Sequence, residues 1–177
     1  MRFCVFAGSS PGTHPAFLKA ASLLGNSIAK RGHDIVYGGG SIGLMGALAD
    51  GALTANGVVI GVIPEFLARR EIIHKGLTHI HITPTMHKRK QMMADMADAF
   101  IVLPGGYGTL DEMFEILTWA QLGLHDKPVA LLNIENYFSP LERFLDDVKA
   151  QGFIRAAGRE TLISETDIET LLNCVEA

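Results

Sequence analysis

Apolar positions fall along this chain in two alternating rhythms. Short unbroken runs, such as Phe3-Cys4-Val5-Phe6-Ala7 and Ala99-Phe100-Ile101-Val102-Leu103, read as strands buried on both faces. Between such runs, apolar residues recur at helical spacing, as Phe17, Leu18, Ala21, Leu24 and Ile28 do. The pattern predicts a strand over 2–7, a helix from about Pro15 to Lys30, and a strand at Ile35-Val36-Tyr37. A second helix runs to Asn56, where Gly57 ends it, and Val58 to Ile63 forms a third strand. Pro64 to Gly76 has no clear period and carries Arg69, Arg70 and Lys75. Thr78 to Thr83 alternates like a strand, Met86 to Asp98 is helical, and the strand at Ala99 follows. Beyond it come a helix behind Thr109, a strand over Pro128–Ile134 and a helix from Ser139 to near Gly152. A short edge strand at Thr161–Ser164 and a helix from Asp167 complete the series. Strands alternating with helices of this length imply parallel βαβ units, hence an α/β three-layer sandwich with a mostly parallel sheet. No repeat or linker interrupts residues 1–177, so one domain is expected.

The most informative stretch is Ala99 to Glu112. A buried strand runs into Pro104-Gly105-Gly106-Tyr107-Gly108, and a helix follows. Glycines let the backbone turn tightly and approach a ligand closely. Thr109 is a good N-cap, with Met113, Ile116, Leu117 and Ala120 at helical spacing behind it. A strand, a glycine turn and a helix N-terminus together make an anion site, phosphate being the usual occupant. Thr109-x-x-Glu112 also fits a capping box, in which Glu112 bonds back to the Thr109 amide. Against that as the whole story, Asp111 and Glu112 would crowd a bound phosphate with negative charge. A carboxylate beside a sugar phosphate is placed to stabilise a cationic sugar or activate water.

Three other groups of residues invite chemistry. Gly38-x-Gly40-x-x-Gly43 follows a strand and opens a helix, as the dinucleotide fingerprint does. The acidic partner expected about twenty positions on is missing, Glu65 being the nearest equivalent. A tight turn packing helix against strand explains the glycines equally well. Gathered at the carboxyl ends of a parallel sheet, the Ser9, Ser41 and Gly106 loops should share one crevice. Arg89 lies three and four residues before Met92 and Met93, which points it along the buried side of its helix, where a cation needs an anionic partner. It reads as a ligand for phosphate or carboxylate or as a partner of Glu112, against the alternative of a solvated Lys88-Arg89-Lys90 run. His79 and His81 share a strand face near His74 and His87, but no cysteine or paired carboxylate has ligand spacing with them, so no metal is expected. Ser9-Ser10 lacks the nucleophile-elbow sequence, which argues against a Ser-His-Asp hydrolase.

Composition narrows the class. A formal charge of −4 argues against a general nucleic-acid binder. Cys4 and Cys174 are too few for a disulfide framework, and no apolar run is long enough to span a bilayer. A cytoplasmic location, with no membrane partner, is the expectation. Hydrophobic residues make up 48% of the chain, which suggests that some apolar surface is buried between subunits.

With Pro104-Gly105-Gly106-x-Gly108-Thr109-x-x-Glu112 preceded by Met86-His87-x-Arg89-Lys90, the sequence resembles the Lonely Guy (LOG) family of cytokinin riboside 5'-monophosphate phosphoribohydrolases. Gly8-Ser9-Ser10, the Gly38 to Gly46 loop, Gly61-Val62-Ile63-Pro64 and Thr118-Trp119-Ala120-Gln121-Leu122-Gly123 extend the likeness over nearly the whole chain. The resemblance implies a Rossmann-like homodimer that cleaves the N-glycosidic bond of a nucleoside 5'-monophosphate, without a cofactor. It further implies that Arg89 and Glu112 are the catalytic pair. Glu71, Lys90, Gly106, Tyr107, Gly108, Thr109, Leu110, Asp111 and Thr118 match the family's substrate-contacting positions. Ser9, Gly40 and Ser41 join them as crevice candidates, and Met86, Met92, Phe66 or Leu67 could line an apolar base pocket. Some relatives carry the label lysine decarboxylase, but no pyridoxal phosphate signature accompanies any lysine here. A rival is a non-catalytic carrier of the kind that holds molybdenum cofactor, which shares the glycine turn and fold but has no need of Arg89, Lys90 and Glu112 together.

Overall fold

The computed structural model describes residues 1–68 and 73–177. Seven strands form one sheet: β1 (Arg2–Phe6), β2 (Asp34–Tyr37), β3 (Val59–Pro64), β4 (His79–Thr83), β5 (Ala99–Val102), β6 (Val129–Leu132) and β7 (Leu162–Glu165). Their order is β4-β3-β2-β1-β5-β6-β7, and every pairing is parallel. β1 to β3 and β5 and β6 are buried along almost their whole length, as their continuous apolar runs require.

Helices cover both faces. On one side lie α1 (Pro15–Lys30), α2 (Gly43–Thr54) and α8 (Ile168–Glu176), which bury Leu24, Ile28, Leu48, Ala52 and Leu172 against Phe3, Ile35 and Ile101. On the other lie α4 (Met86–Met96), α5 (Tyr107–Gln121) and α6 (Ser139–Ala150), which bury Met93, Met113, Ile116 and Leu145 against Cys4, Phe100 and Val129. The expected α/β three-layer sandwich is therefore present, with a wholly parallel sheet.

Two short helices carry no periodic signal in the sequence: α3 (Glu65–Ala68), in the stretch read as irregular, and α7 (Ala156–Glu160). A single turn displays too few positions to establish a 3.6-residue period. Other element ends fall within a few residues of the expected ones.

The chain leaves β1 for β2, β3 and β4 on one side, then returns to β5 on the other side of β1. This reversal parts the loops that follow β1 and β5 and opens a crevice at the carboxyl ends of the strands.

Candidate active site

α5 begins three residues earlier than its sequence suggests. Gly106 is the N-cap and Tyr107 the first helical residue, so Thr109 is not a cap but lies inside the first turn. The reason is steric. A Cβ on Gly105 would collide with Oγ1 and Cβ of Thr109, so the glycine lets the buried Thr109 side chain fold back over the turn. The Gly105 carbonyl accepts a hydrogen bond from Tyr137 Oη at 2.6 Å, which fixes the turn from the far side. Among the described residues, the amides of Tyr107, Gly108 and Thr109 donate to no side chain or loop carbonyl. Gly106 and Gly108 both face open space. The positive end of a 15-residue helix is thus presented bare.

The capping-box alternative for Glu112 does not hold, because its carboxylate bonds elsewhere. Oε1 of Glu112 accepts from Nη1 of Arg89 at 2.7 Å, and both side chains are about nine-tenths buried. Arg89 enters from α4, whose N-cap Thr85 accepts from the Lys88 amide. Its Nε donates to the Val62 carbonyl of β3 at 3.0 Å, and Nη1 also reaches Sδ of Met86 at 3.3 Å. The solvated-run alternative therefore fails for Arg89, though Lys88 beside it is exposed. Burying two charges is tolerated here because each meets the other and the guanidinium has a further carbonyl acceptor.

Burial pushes the Glu112 carboxyl above the ordinary glutamate range, and the Arg89 charge and hydrogen bond only partly offset this. Burial also raises the Cys4 thiol beneath the site, and the Glu112 charge adds to that. Lys90 is drawn down by burial, but its ion pairs with Asp111 (3.0 Å) and Glu115 (3.1 Å) outweigh this and hold it above its usual value. A raised carboxyl pinned by a guanidinium inside a cleft is the arrangement expected of a functional pair.

A cavity of about 300 Å³ opens over this pair. It gathers Arg89, Glu112, Lys90, Asp111, Gly106, Tyr107, Gly108, Thr109 and Ser9 from the sequence-derived candidates. Other candidates lie elsewhere. Leu110 is half-buried against the core formed by α4 and α5. Gly40 is buried, its carbonyl taken by Tyr37 Oη and its backbone bridged to Ile73. Ser41 is half-buried at the foot of α2 and does not line the cavity. From that loop it is Gly38 and Met45 that reach the crevice. Thr118 is exposed, donates to the Phe114 carbonyl at 2.7 Å and edges a separate groove between α5 and α7. Glu71, Arg69 and Arg70 lie outside the described residues.

Met86 and Leu67 supply apolar wall, while Met92 and Phe66 do not reach the cavity. Sequence reasoning missed the Val62 carbonyl and Met45. A main-chain acceptor carries no residue-type signal, and Met45 reads as one more apolar residue of an amphipathic helix. Among the described residues, no three His, Cys, Asp or Glu side chains converge as metal ligands, and His74 pairs with Asp50. No helix among them is long and apolar enough to cross a membrane.

The family described as "Possible lysine decarboxylase" matches residues 45–175. A cytokinin riboside 5'-monophosphate phosphoribohydrolase of Arabidopsis thaliana is 46% identical over 175 residues, covering 99% of this chain and 82% of the relative. A protein of the same name from Rhodococcoides fascians is 45% identical over 174 residues, covering 98% and 88%. Among solved structures, a molybdenum cofactor carrier protein from Chlamydomonas reinhardtii superposes with a TM-score of 0.76 at 23% identity, covering 99% and 95%. That likeness is one of fold. The chain belongs to the Lonely Guy family, the group whose family description reads "Possible lysine decarboxylase".

Proposed function

We propose that this protein is a phosphoribohydrolase that cleaves the N-glycosidic bond of cytokinin or purine riboside 5'-monophosphates, releasing free base and ribose 5-phosphate. The observation that carries the reading is the buried Arg89–Glu112 pair lining one cavity with the bare amides of α5. A carrier of a phosphorylated ligand needs the amides but not the pair. The activity named for relatives that match nearly the full chain at 45–46% identity supports the same reading.

In this mechanism the 5'-phosphate docks on the Gly106, Gly108 and Thr109 amides, with Ser9 closing the crevice. As the base leaves, the ribose becomes oxocarbenium-like and positive at C1'. Glu112 stabilises that charge and orients a water, whose oxygen bonds to C1' while its proton leaves with the base. Arg89 keeps Glu112 ionised and in register, its own charge held away from the anomeric carbon. Lys90 and Asp111 border the same cavity and complete its polar wall, with Met86 and Leu67 on the apolar side for the base.

The proposal takes the chain as one nucleotide-binding domain and places the enzyme in the cytoplasm, as a homodimer. Leu122 and Leu124, 67% and 68% exposed beyond the end of α5, support a subunit contact.

The test is to incubate the protein with AMP and with isopentenyladenosine monophosphate and measure free base. Wild-type protein should release base, and Arg89→Ala should lower kcat/KM by about 100-fold or more. The same variant leaves Glu112 buried without its cation and should lose about 3 kcal/mol of stability, roughly 10 °C in Tm for a chain of this size. Binding of AMP without release of adenine would instead favour the carrier.

A further inference from the structure

The glycine at position 38 stands out among those of its loop. Gly39 and Gly43 adopt the left-handed conformation, with φ of 79° and 62°, and so are glycines for backbone reasons. Gly38 does not, so any residue could adopt its backbone conformation. What it lacks is room. A Cβ built on Gly38 would overlap Nη2 of Arg89 and stand 3.2 Å from Sδ of Met45, so a side chain has nowhere to turn.

The guanidinium is thus registered on three sides. Nε is bonded to the Val62 carbonyl, Nη1 to Glu112 and Met86, and Nη2 lies in the space that Gly38 leaves open. We propose that Gly38 is a positioning residue, whose missing side chain forms the slot that aims Arg89 at Glu112. The inference rests on the proposed phosphoribohydrolase reading for its kinetic consequence, but not for its geometry. It also gives the first glycine of the fingerprint-like motif a role at the crevice that needs no dinucleotide.

A methyl group at this position meets the tips of two side chains rather than backbone, so Gly38→Ala should fold and displace the guanidinium. The charged groups that bear on Glu112 are Arg89, Asp111 and Lys90, and Arg89 is the one this change moves. Two readouts test it. The Glu112 carboxyl, followed by carbon-13 NMR, should titrate at higher pH in Gly38→Ala than in wild type. Adenine release from AMP should fall roughly 10- to 100-fold in kcat with KM changed far less, and the acid limb of the rate profile should move up with the carboxyl.

The double variant Gly38→Ala/Arg89→Ala isolates the route. With the guanidinium gone, Gly38→Ala should add nothing to the Glu112 titration of Arg89→Ala. If Gly38→Ala alone does not fold, the double variant, in which the space is vacated, should fold with the Tm of Arg89→Ala. A wild-type titration and rate in Gly38→Ala overturn the inference. So does a further upward shift when Gly38→Ala is added to Arg89→Ala, or a double variant that is also unfolded. If wild-type protein releases no base, the functional reading fails, while the carboxyl titration still decides the role of Gly38.

Discussion

Two turns in this molecule share one plan of strand, glycines and helix, yet they do opposite things with their amides. After β2, α2 is sealed at its N-terminus. The Leu44 and Met45 amides donate to the Gly8 carbonyl at 3.0 and 3.3 Å, and Gly43 lies against the backbone of Ser9 and Ser10. The helix end that a dinucleotide would need is spent on holding the β1 loop. After β5, the first-turn amides of α5 meet no such carbonyl and face the cavity. The lesson is that a glycine motif does not specify an anion site. What decides is whether another part of the chain has already taken the donors.

The contrast implies that variants facing the cavity lose rate, whereas variants at the docked N-terminus of α2, where Gly43 meets the β1 loop, lose stability. The largest effect is expected for Glu112→Gln, which keeps the shape of the side chain and removes its charge. Its kcat for adenine release from AMP should fall about 1,000-fold, with Tm moved far less than in Arg89→Ala. A Glu112→Gln variant with full activity and a lowered Tm would return Glu112 to a purely structural role.

Next is Gly43→Ala. A methyl group there meets Ser9 and Ser10 backbone, which cannot swing aside, and φ of 62° is unfavourable for alanine. Strain and crowding together should reduce stability by about 3 kcal/mol, or roughly 10 °C in Tm. Thermal unfolding measures this directly, and an unchanged Tm would mean that the α2 turn is not the packed junction described here.

The pH dependence is a smaller effect with a definite sign. Because burial raises the Glu112 carboxyl, the proton is held to a higher pH than on an ordinary glutamate. The mechanism needs the ionised form, so kcat/KM should fall as pH drops through that raised value, before exposed carboxylates titrate. An acid limb within or below the ordinary glutamate range would contradict the role given to Glu112.

The smallest change is expected for Tyr137→Phe, which removes the half-exposed hydroxyl bonded to the Gly105 carbonyl. Less than about 1 kcal/mol should be lost, visible as a few degrees in Tm and a modest rise in KM as the turn loosens.

Much of this was legible in the residues. The alternation of apolar runs and helical spacing fixed the layers, and the position of Arg89 relative to Met92 and Met93 identified a cation pointing inward. Two of the misread details show what was not legible. Thr109 has the right chemistry for a cap, but the room left by Gly105 lets it pack inside the helix instead. Ser41 follows a glycine turn like that of Gly106, but α2 is docked on the Gly8 carbonyl, so Gly38 and Met45 face the crevice in its place. The first is decided by packing within one tight turn, which residue type alone does not show, and the second by a contact between segments far apart in sequence, which local residue patterns do not carry. The register of Arg89 against Val62 and Gly38 is of the same kind.

The most direct test is a crystal structure of Glu112→Gln with AMP bound. The expected result is phosphate oxygens within hydrogen-bond distance of the Gly106, Gly108 and Thr109 amides, with C1' beside the residue 112 side chain. A phosphate seated at the α2 turn, or a ribose whose C1' faces away from residue 112, would contradict the account.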